Sequence, residues 1–519
     1  MKSINKMILN NFKRFTSLEL DFENNLNILI GDNESGKSSI IQAIDIVLSG
    51  SRFKIESIGL ENIFNFNIIN NFLQSDKKYE KLPILSIELY LNTQNVPEMN
   101  GRNNSKHVDF DGLKLVCKPD DDFSSQIRDI LQQPDSIFPF EFYSILFSTF
   151  ADSYDYSRKK YIKHIVVDNS QMSNEYSMKA YVKDIYNATT NETEKLSNQN
   201  LYRSYKERFK DEVLSELSNR IDNYIFAIKT SSKSNLESDI MLMEDGINIE
   251  NKGLGKQCFI KTKLALSRQQ TNIDIVMLEE PENHLSHINM HKLVQMINQT
   301  NDKQIIIATH SDLISARLDL RKTILLNSNS IEPLLLKSIS EDTAKFFMKA
   351  PDNNILQFVL SNKTILVEGD AEFILMEKMY HKVTNQDIAQ ADIHIISVGG
   401  KCFKRYLELA KVLKIKTAVI TDNDGDIDKN INQKFSDYNS YPNIRVFYDT
   451  DNNRNTFEIC LYDENKEIME NLFSTPRRTL SIQEYMLKNK TDCAFSILTN
   501  DIDINIPEYI SDAIKWIKE

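Results

Sequence analysis

Two places in this chain offer carboxylates where a divalent cation can be held, and a third offers the residues that hold a phosphate. Glu368-Gly369 closes the apolar run KTILV, and Asp422-Asn423-Asp424 closes the run TAVIT. Far upstream, Gly31-Asp32-Asn33-Glu34-Ser35-Gly36-Lys37-Ser38 follows an apolar run, opens a helical one and matches G-x-x-x-x-G-K-[ST] in full. In such a loop the glycines let backbone N–H groups turn toward phosphate oxygens. Lys37 neutralises the β and γ oxygens, Ser38 ligates magnesium, and the dipole of the following helix favours the anion. Gly31, Asn33, Gly36 and Ser39 complete the expected contacts to ATP.

The stretch Ile273-Asp274-Ile275-Val276-Met277-Leu278-Glu279-Glu280 reads as a buried strand ending in two carboxylates. Glu279 is expected to orient the water shell of the metal, and Glu280 to act as general base on the attacking water. A second strand, KQIIIAT, ends at His310, which is placed to sense the γ-phosphate; a lone histidine would more often be structural, but this one ends a strand beside the carboxylate strand. His284, His287 and His291 have near-zinc spacing. Because they follow the glutamates directly, they are read as the start of the next helix, with no zinc assigned.

In an open α/β sheet the carboxyl ends of the strands form the ligand crevice, so Glu368, Asp422 and Asp424 can converge there. Carboxylates at one strand edge repel one another unless a cation sits among them, which is the logic of a magnesium site. A calcium loop of EF-hand type is excluded, since Ile427 and Gln433 stand where glycine and glutamate are needed. An acidic turn remains the reading for Asp426 and Asp428. Of the 13 glycines, those at 31, 36, 253, 255, 369, 399, 400 and 425 fall in these motifs.

These residues require parallel strands to carry them. Runs of strand character (MILNNFKRF, LNILIG, IDIVML, KQIIIAT, KTILLN) and, later, KTILVEG, DIHIISVG, TAVITD and IRVFYD alternate with helical segments, as in two α/β units. PILSIELYLN and LKLVC read as strands of an antiparallel layer beside the first sheet. From about 150 to 250 the chain is rich in Tyr, Ser, Asn, Lys and Glu, helical in period around 199 to 228, and reads as an inserted helical region for dimerisation or partner contact.

At 519 residues, 41% hydrophobic and 26% charged, the chain is of ordinary globular composition and holds several domains. It has no apolar run of membrane length and no signal-type start, so a cytoplasmic location and no membrane contact are expected. Five cysteines without a CxxC pair offer neither zinc nor a disulfide framework. The net charge of -12 argues against coating nucleic acid by bulk electrostatics. Local basic groups remain at Arg158-Lys159-Lys160 with Lys163, at Lys401 with Lys404-Arg405, and at Arg477-Arg478; each reads as a solvated face before it reads as a phosphate contact.

The first half resembles the ABC-type ATPase heads of the structural-maintenance and recombination proteins, in which ATP is sandwiched between two heads. Lys252-Gly253-Leu254-Gly255-Lys256-Gln257 stands in the place of the signature motif, without its serine, so Gly255 is expected to touch phosphate in trans. Glu279 stands where the family has aspartate, and no glutamine fits the Q-loop position. The Glu-Gly and Asp-x-Asp pair resembles the Toprim domain, and the two sets in this order resemble the OLD (overcoming lysogenization defect) nuclease family. That resemblance implies an α/β fold with boundaries at 1–150 and 251–345 for the head, 151–250 for the helical dimerisation region, 346–361 for a helical linker and 362–519 for a Rossmann-like Toprim domain. It adds Glu372, Glu458 and Lys490 to Glu368, Asp422 and Asp424. Lys490, with Lys488 close by, would steady the transition-state phosphate, and two Mg2+ or Mn2+ ions would share phosphodiester hydrolysis.

The implied function is an ATP-regulated, metal-dependent DNA endonuclease acting in anti-phage defence. It would act as a homodimer through heads and insertion, with a helicase or a reverse transcriptase and its nucleic acid as further partners. The contrasting reading is a non-catalytic, ATP-switched scaffold that holds DNA or a partner.

Overall fold

The run LNILIG forms the strand Leu26–Gly31, and in the computed structural model it lies inside a parallel sheet in the order Thr323–Leu326, Leu26–Gly31, Gln304–Thr309, Ile275–Glu279, His164–Asp168. These strands are buried almost without interruption, as parallel strands covered on both faces must be. The structure describes all residues except 94–95, 134, 152–155, 157–160, 170–174, 222–223, 230–235, 268–272, 312–313, 315–316, 328–332, 350–353, 400–401 and 476–478. The basic groups at 158–160 and 477–478, Lys401 and Gly400 therefore lie outside the described residues.

An antiparallel sheet joins Phe15–Asp21, Ser3–Phe12, Leu85–Asn92 and Phe110–Pro119, with Tyr143–Thr149 paired to the last. The apolar run MILNNFKRF is not one strand. It breaks at a tight turn through Lys13 and Arg14, with Asn11 and Lys13 at positive φ and Phe12 paired to Phe15. The helix Lys37–Ser49 packs between the two sheets, so its apolar residues are buried nearly all round.

The layers are joined by one fully buried amide. Gln304 accepts from Ile4 N–H at 2.8 Å, and its Nε2 donates to the carbonyls of Ile4 and Glu23, each at 2.8 Å.

The stretch from 151 to 250 is only partly an insertion. His164–Asp168 pairs in register with Ile275–Glu279 and forms the edge of the head's sheet; its short strand is hidden in the sequence by polar neighbours. The helices Glu175–Thr189 and Glu192–Phe209 follow, and Tyr181 anchors the first by donating to the Lys261 carbonyl at 2.7 Å.

The chain divides into two compact units, Met1–His310 with Lys322–Pro333, and Ser311–Arg321 with Leu334–Glu519. The second begins earlier than the sequence suggests. The helix Glu341–Lys349 belongs to it because Glu408 accepts from Ser340 and Thr343, and Phe347 meets Tyr406 edge-on at 5.3 Å. Its sheet is all parallel, ordered Ile393–Ser397, Lys363–Val367, Lys416–Ile420, Ile444–Phe447. Ile365, Val367, Ala418 and Ile420 join one core with Leu375, Met379, Ile510 and Ile514 from the helices Asp370–Thr384 and Glu508–Lys518. Among the described residues no helix is long and apolar enough to cross a membrane.

Replacing Gln304 by Ala leaves a buried N–H and two buried carbonyls without their partner. The expected cost is about 2–4 kcal/mol of head stability, read as a lowered first transition in denaturant unfolding.

Candidate functional site

The phosphate loop is built as the spacing predicts: a strand ending at Gly31, a turn, and a helix opening at Lys37. Gly36 must be glycine twice over, because its φ is 97° and a Cβ there would lie 2.4 Å from the Phe15 ring. A Cβ on Gly31 would lie 2.2 Å from the Leu326 carbonyl. Lys37 is buried, and its Nζ donates to the carbonyls of Gly31 at 2.7 Å and Asp32 at 3.0 Å. Desolvation lowers its pKa, against the pull of Glu280 and Asp32. A buried ammonium held only by neutral carbonyls fits a phosphate. Asn33 is exposed at the tip of the loop and Ser39 half-buried behind it.

The acid strand ends beside this loop. Burial raises the pKa of Glu279, and the Ser38 side chain, hydrogen-bonded to it, works in the opposite direction. Glu280 takes a left-handed backbone, φ 45°, with its N–H on the Ala308 carbonyl at 2.9 Å. Its Oε2 lies 2.5 Å from His310 Nδ1. Desolvation first, and Glu282 second, hold the Glu280 carboxyl well above the ordinary range.

Several residues of this site escape sequence reasoning. Glu282 is 9% exposed at its side chain, and its Oε1 accepts from Thr309 Oγ1 at 2.5 Å and from His310 N–H at 3.2 Å. Glu280, Glu282 and His310 are, among the described residues, the one trio of metal-type ligands whose atoms lie within 4.8 Å of one another. The hairpin turn sets Lys13 close enough to Glu279 for their charges to interact, and aims Arg14 at the Glu34 carbonyl. Asp168 stands level with Glu279 in register; beyond it Asn169 is fully buried, and its side-chain amide has no hydrogen-bond partner in the structure. A buried amide without partners fits a site that is completed by a ligand. The signal available for Lys13-Arg14 was a basic pair between two apolar runs; nothing in the sequence marks Asn169.

Gly255 has a local reason to be glycine. It lies in the helix Leu254–Leu266, where a Cβ would sit 2.1 Å from the His284 carbonyl, whereas a Cβ on Gly253 meets nothing within 4 Å. His284 is in the turn, at φ 63°, and His287 and His291 lie on the helix His287–Gln299, as expected.

In the second unit the two strand ends meet. Glu368 Oε2 accepts from Thr421 Oγ1 at 3.0 Å and from Asp422 N–H at 3.3 Å. Asp422 Oδ1 accepts from Phe457 N–H at 2.8 Å, at the start of the helix Phe457–Glu464 that carries Glu458. Lys490 Nζ donates to Glu458 Oε2 at 2.8 Å. Glu372 lies in the first turn of the helix that follows Gly369 and is buried. Desolvation, then Glu372, Glu368 and Glu458, push Asp422 up to about 8. Desolvation pushes Glu372 to about 7, with Glu458 and Glu368 adding to it.

The structure thus gathers Glu368, Glu372, Asp422, Glu458 and Lys490, and takes Lys490 in preference to Lys488. Asp424 is set apart: it is exposed, in a left-handed turn at φ 51°, with its N–H on the Asn455 carbonyl at 3.1 Å. Asn423 is the buried member of that turn and donates to the carbonyls of Asp449 at 2.8 Å and Asp451 at 3.0 Å. Four carboxylates beside one ammonium are the groups that could hold a divalent cation here, although no three of Glu368, Glu372, Asp422 and Glu458 bring oxygens within 4.8 Å of one another as the head's trio does.

Residues 1–314 match the model of the AAA ATPase domain, and residues 359–424 that of the overcoming lysogenization defect protein-like TOPRIM domain. A DNA replication and repair protein RecF of Histophilus somni (strain 2336) is 40% identical over 52 residues, 10% of this chain and 14% of its own. The Old nuclease of Escherichia phage P2 is 24% identical over 179 residues, 32% of this chain and 30% of its own. The chain thus spans less than a third of the length of these relatives. A solved C-terminal region of the Burkholderia pseudomallei OLD protein is 19% identical, with a TM-score of 0.25 over 31% of this chain and 98% of that one.

A carboxyl whose folded pKa is raised favours folding below its unfolded pKa and loses that contribution as pH rises through the folded value. For Asp422 that window runs from about 4 to about 8. In metal-free protein, Asp422→Asn should keep the bond from Phe457 N–H and abolish this loss. The variant is expected to melt higher than the parent at pH 8 by at least ~1 kcal/mol and no higher at pH 4, followed by thermal denaturation in EDTA.

Proposed function

Since the chain belongs to the AAA ATPase domain family and, with a Toprim domain of the overcoming-lysogenization-defect type behind that head, is an OLD-family protein, we propose that it is an ATP-regulated, metal-dependent DNA endonuclease. The observation that carries this reading is the convergence of Glu368, Glu372, Asp422 and Glu458 around one lysine at the carboxyl ends of parallel strands. Magnesium or manganese bound there supplies Lewis-acid polarisation of the scissile phosphate. The protein's own part is to hold the acids ionised in the presence of that charge, to brace Asp422 through Phe457 N–H and Glu368 through Thr421, and to offer the Lys490 ammonium to negative charge developing on the phosphate.

In the head, Lys37, Ser38 and the loop N–H groups bind the nucleotide phosphates. Glu280 accepts the proton of the attacking water, and His310 holds Glu280 until nucleotide is seated. Glu282 positions both. Asp424 acts at the rim of the nuclease centre, and Gly255 borders the nucleotide of a second head. Two copies associate through the heads and the 151–250 region, in the cytoplasm. Their role is anti-phage defence, alongside a helicase or a reverse transcriptase with its nucleic acid; this rests on family likeness.

With purified full-length protein, nicking of supercoiled plasmid in Mn2+ or Mg2+ is expected to fall at least about a hundredfold in Glu368→Gln and in Asp422→Asn. Unimpaired cleavage by the double variant would sink the nuclease reading, and absence of cleavage by the parent with any divalent cation would favour an ATP-switched scaffold. Lys37→Ala should lose nucleotide binding.

Glu282→Gln removes a like charge beside Glu280 while keeping an acceptor for Thr309 and His310. The acid limb of the ATP-turnover pH profile should therefore move to lower pH. Glu282→Ala, which also releases His310, should cut turnover about tenfold or more with nucleotide affinity unchanged. A pH profile identical in Glu282→Gln and parent would remove Glu282 from this role.

A further inference from the structure

The second unit holds a concave pocket of about 500 Å³ that none of the preceding chemistry uses. It runs along Ile444–Phe447, the edge strand of the parallel sheet, and is lined among others by Tyr441, Arg445, Tyr448 and Trp516. Arg445 is exposed, and both tyrosines and Trp516 are half-buried.

The cations here are paired with rings rather than with acids. Lys411 Nζ lies 4.9 Å from the Tyr441 ring, Lys416 Nζ 4.8 Å from the Trp516 ring, and the Arg445 guanidinium 5.1 Å from the Phe447 ring. Of the three, Arg445 lines the pocket itself, while Lys411 and Lys416 flank it and feel the charges of Glu408 and Asp437 and of Glu519. A ligand that suits it brings a flat π-face and a negative charge together. Bases stack on aromatic side chains at about 1–3 kcal/mol each, and the phosphate beside such a base meets the exposed Arg445. A paired base in a duplex has no free face to offer, so the chemistry selects an unpaired one.

The pocket also borders the acidic centre along the chain. Tyr448 precedes Asp449, whose carbonyl receives the Asn423 side chain at 2.8 Å, and Asn423 follows Asp422. We propose that this pocket binds an unpaired nucleotide of a single DNA strand flanking the cleavage point. The assignment of DNA as its ligand rests on the nuclease reading; the pocket itself does not.

Trp516 is the sole tryptophan, so its emission reports the pocket directly. The full chain in EDTA, where no cleavage occurs, is titrated with a short single-stranded oligothymidylate. Saturable quenching is expected, weakened at least about fivefold in Arg445→Glu and restored toward the parent in Arg445→Lys. The proposal is overturned if oligothymidylate does not quench, if duplex DNA or inorganic phosphate quenches as well, or if an extended peptide is bound instead. It is overturned too if Arg445→Glu, still folded by its melting curve, binds as the parent does. Quenching without cleavage in Mn2+ would leave the pocket standing and remove the nuclease reading; cleavage without quenching would do the reverse.

Discussion

Carboxylates that end neighbouring parallel strands repel one another, and both units are arranged around that repulsion. Each sheet brings acids to the same edge: Glu279 stands level with Asp168 in one, and in the other Glu368, one residue out of step, accepts from the Asp422 N–H. Burial on both faces of the strands then sharpens the effect, because low polarity strengthens every charge interaction. The head offsets it with His310, Ser38 and Lys13, all short-range and some charged only by proton uptake. The second unit offsets it with backbone N–H groups, Thr421 and a single lysine. What surrounds these groups, from the helices to the close glycine contacts, keeps them from relaxing apart.

The motifs legible in the sequence are those whose parts are adjacent along the chain. The phosphate loop, Glu-Gly and Asp-x-Asp each carry their own strand and turn, so apolar runs and glycines suffice to find them. Glu372, Glu458 and Lys490 came through family likeness, and the structure gathers them at one centre. Glu282 was written in the same motif as Glu280, but only the fold shows it gripping Thr309. Asp168, Asn169 and the Lys13-Arg14 turn depend on which strand lies next to which, information that no local window contains. His164–Asp168 was masked because its polar neighbours read as part of a helical insertion. Asp424 shows the limit of spacing arguments: two residues from Asp422 places it on the same face of a strand, but the chain has already left the strand and turned left-handed there.

The turn that holds Asp422 shows how a polar side chain can serve as backbone. Asn423 fills its hydrogen-bonding capacity with Asp449 and Asp451 on one side and with Gly425 N–H on the other. Asp422 is thereby held on the buried side of the turn, and Asp424, its N–H on the Asn455 carbonyl, is turned out to solvent.

The strand that ends in the phosphate loop has as its sheet neighbours only Gln304–Thr309 and Thr323–Leu326, and the amide that locks the first strand also belongs to residue 304. On the ribosome these partners emerge late. At about 5–20 residues per second, the 300 residues that separate Ile4 from Gln304 take about 15–60 s to synthesise. Through that interval the amino-terminal hairpin already has its antiparallel partners, Leu85–Asn92 and Phe110–Pro119, while the loop strand exists without its own sheet. That one apolar strand must be kept from other partners until nearly two thirds of the chain has been made.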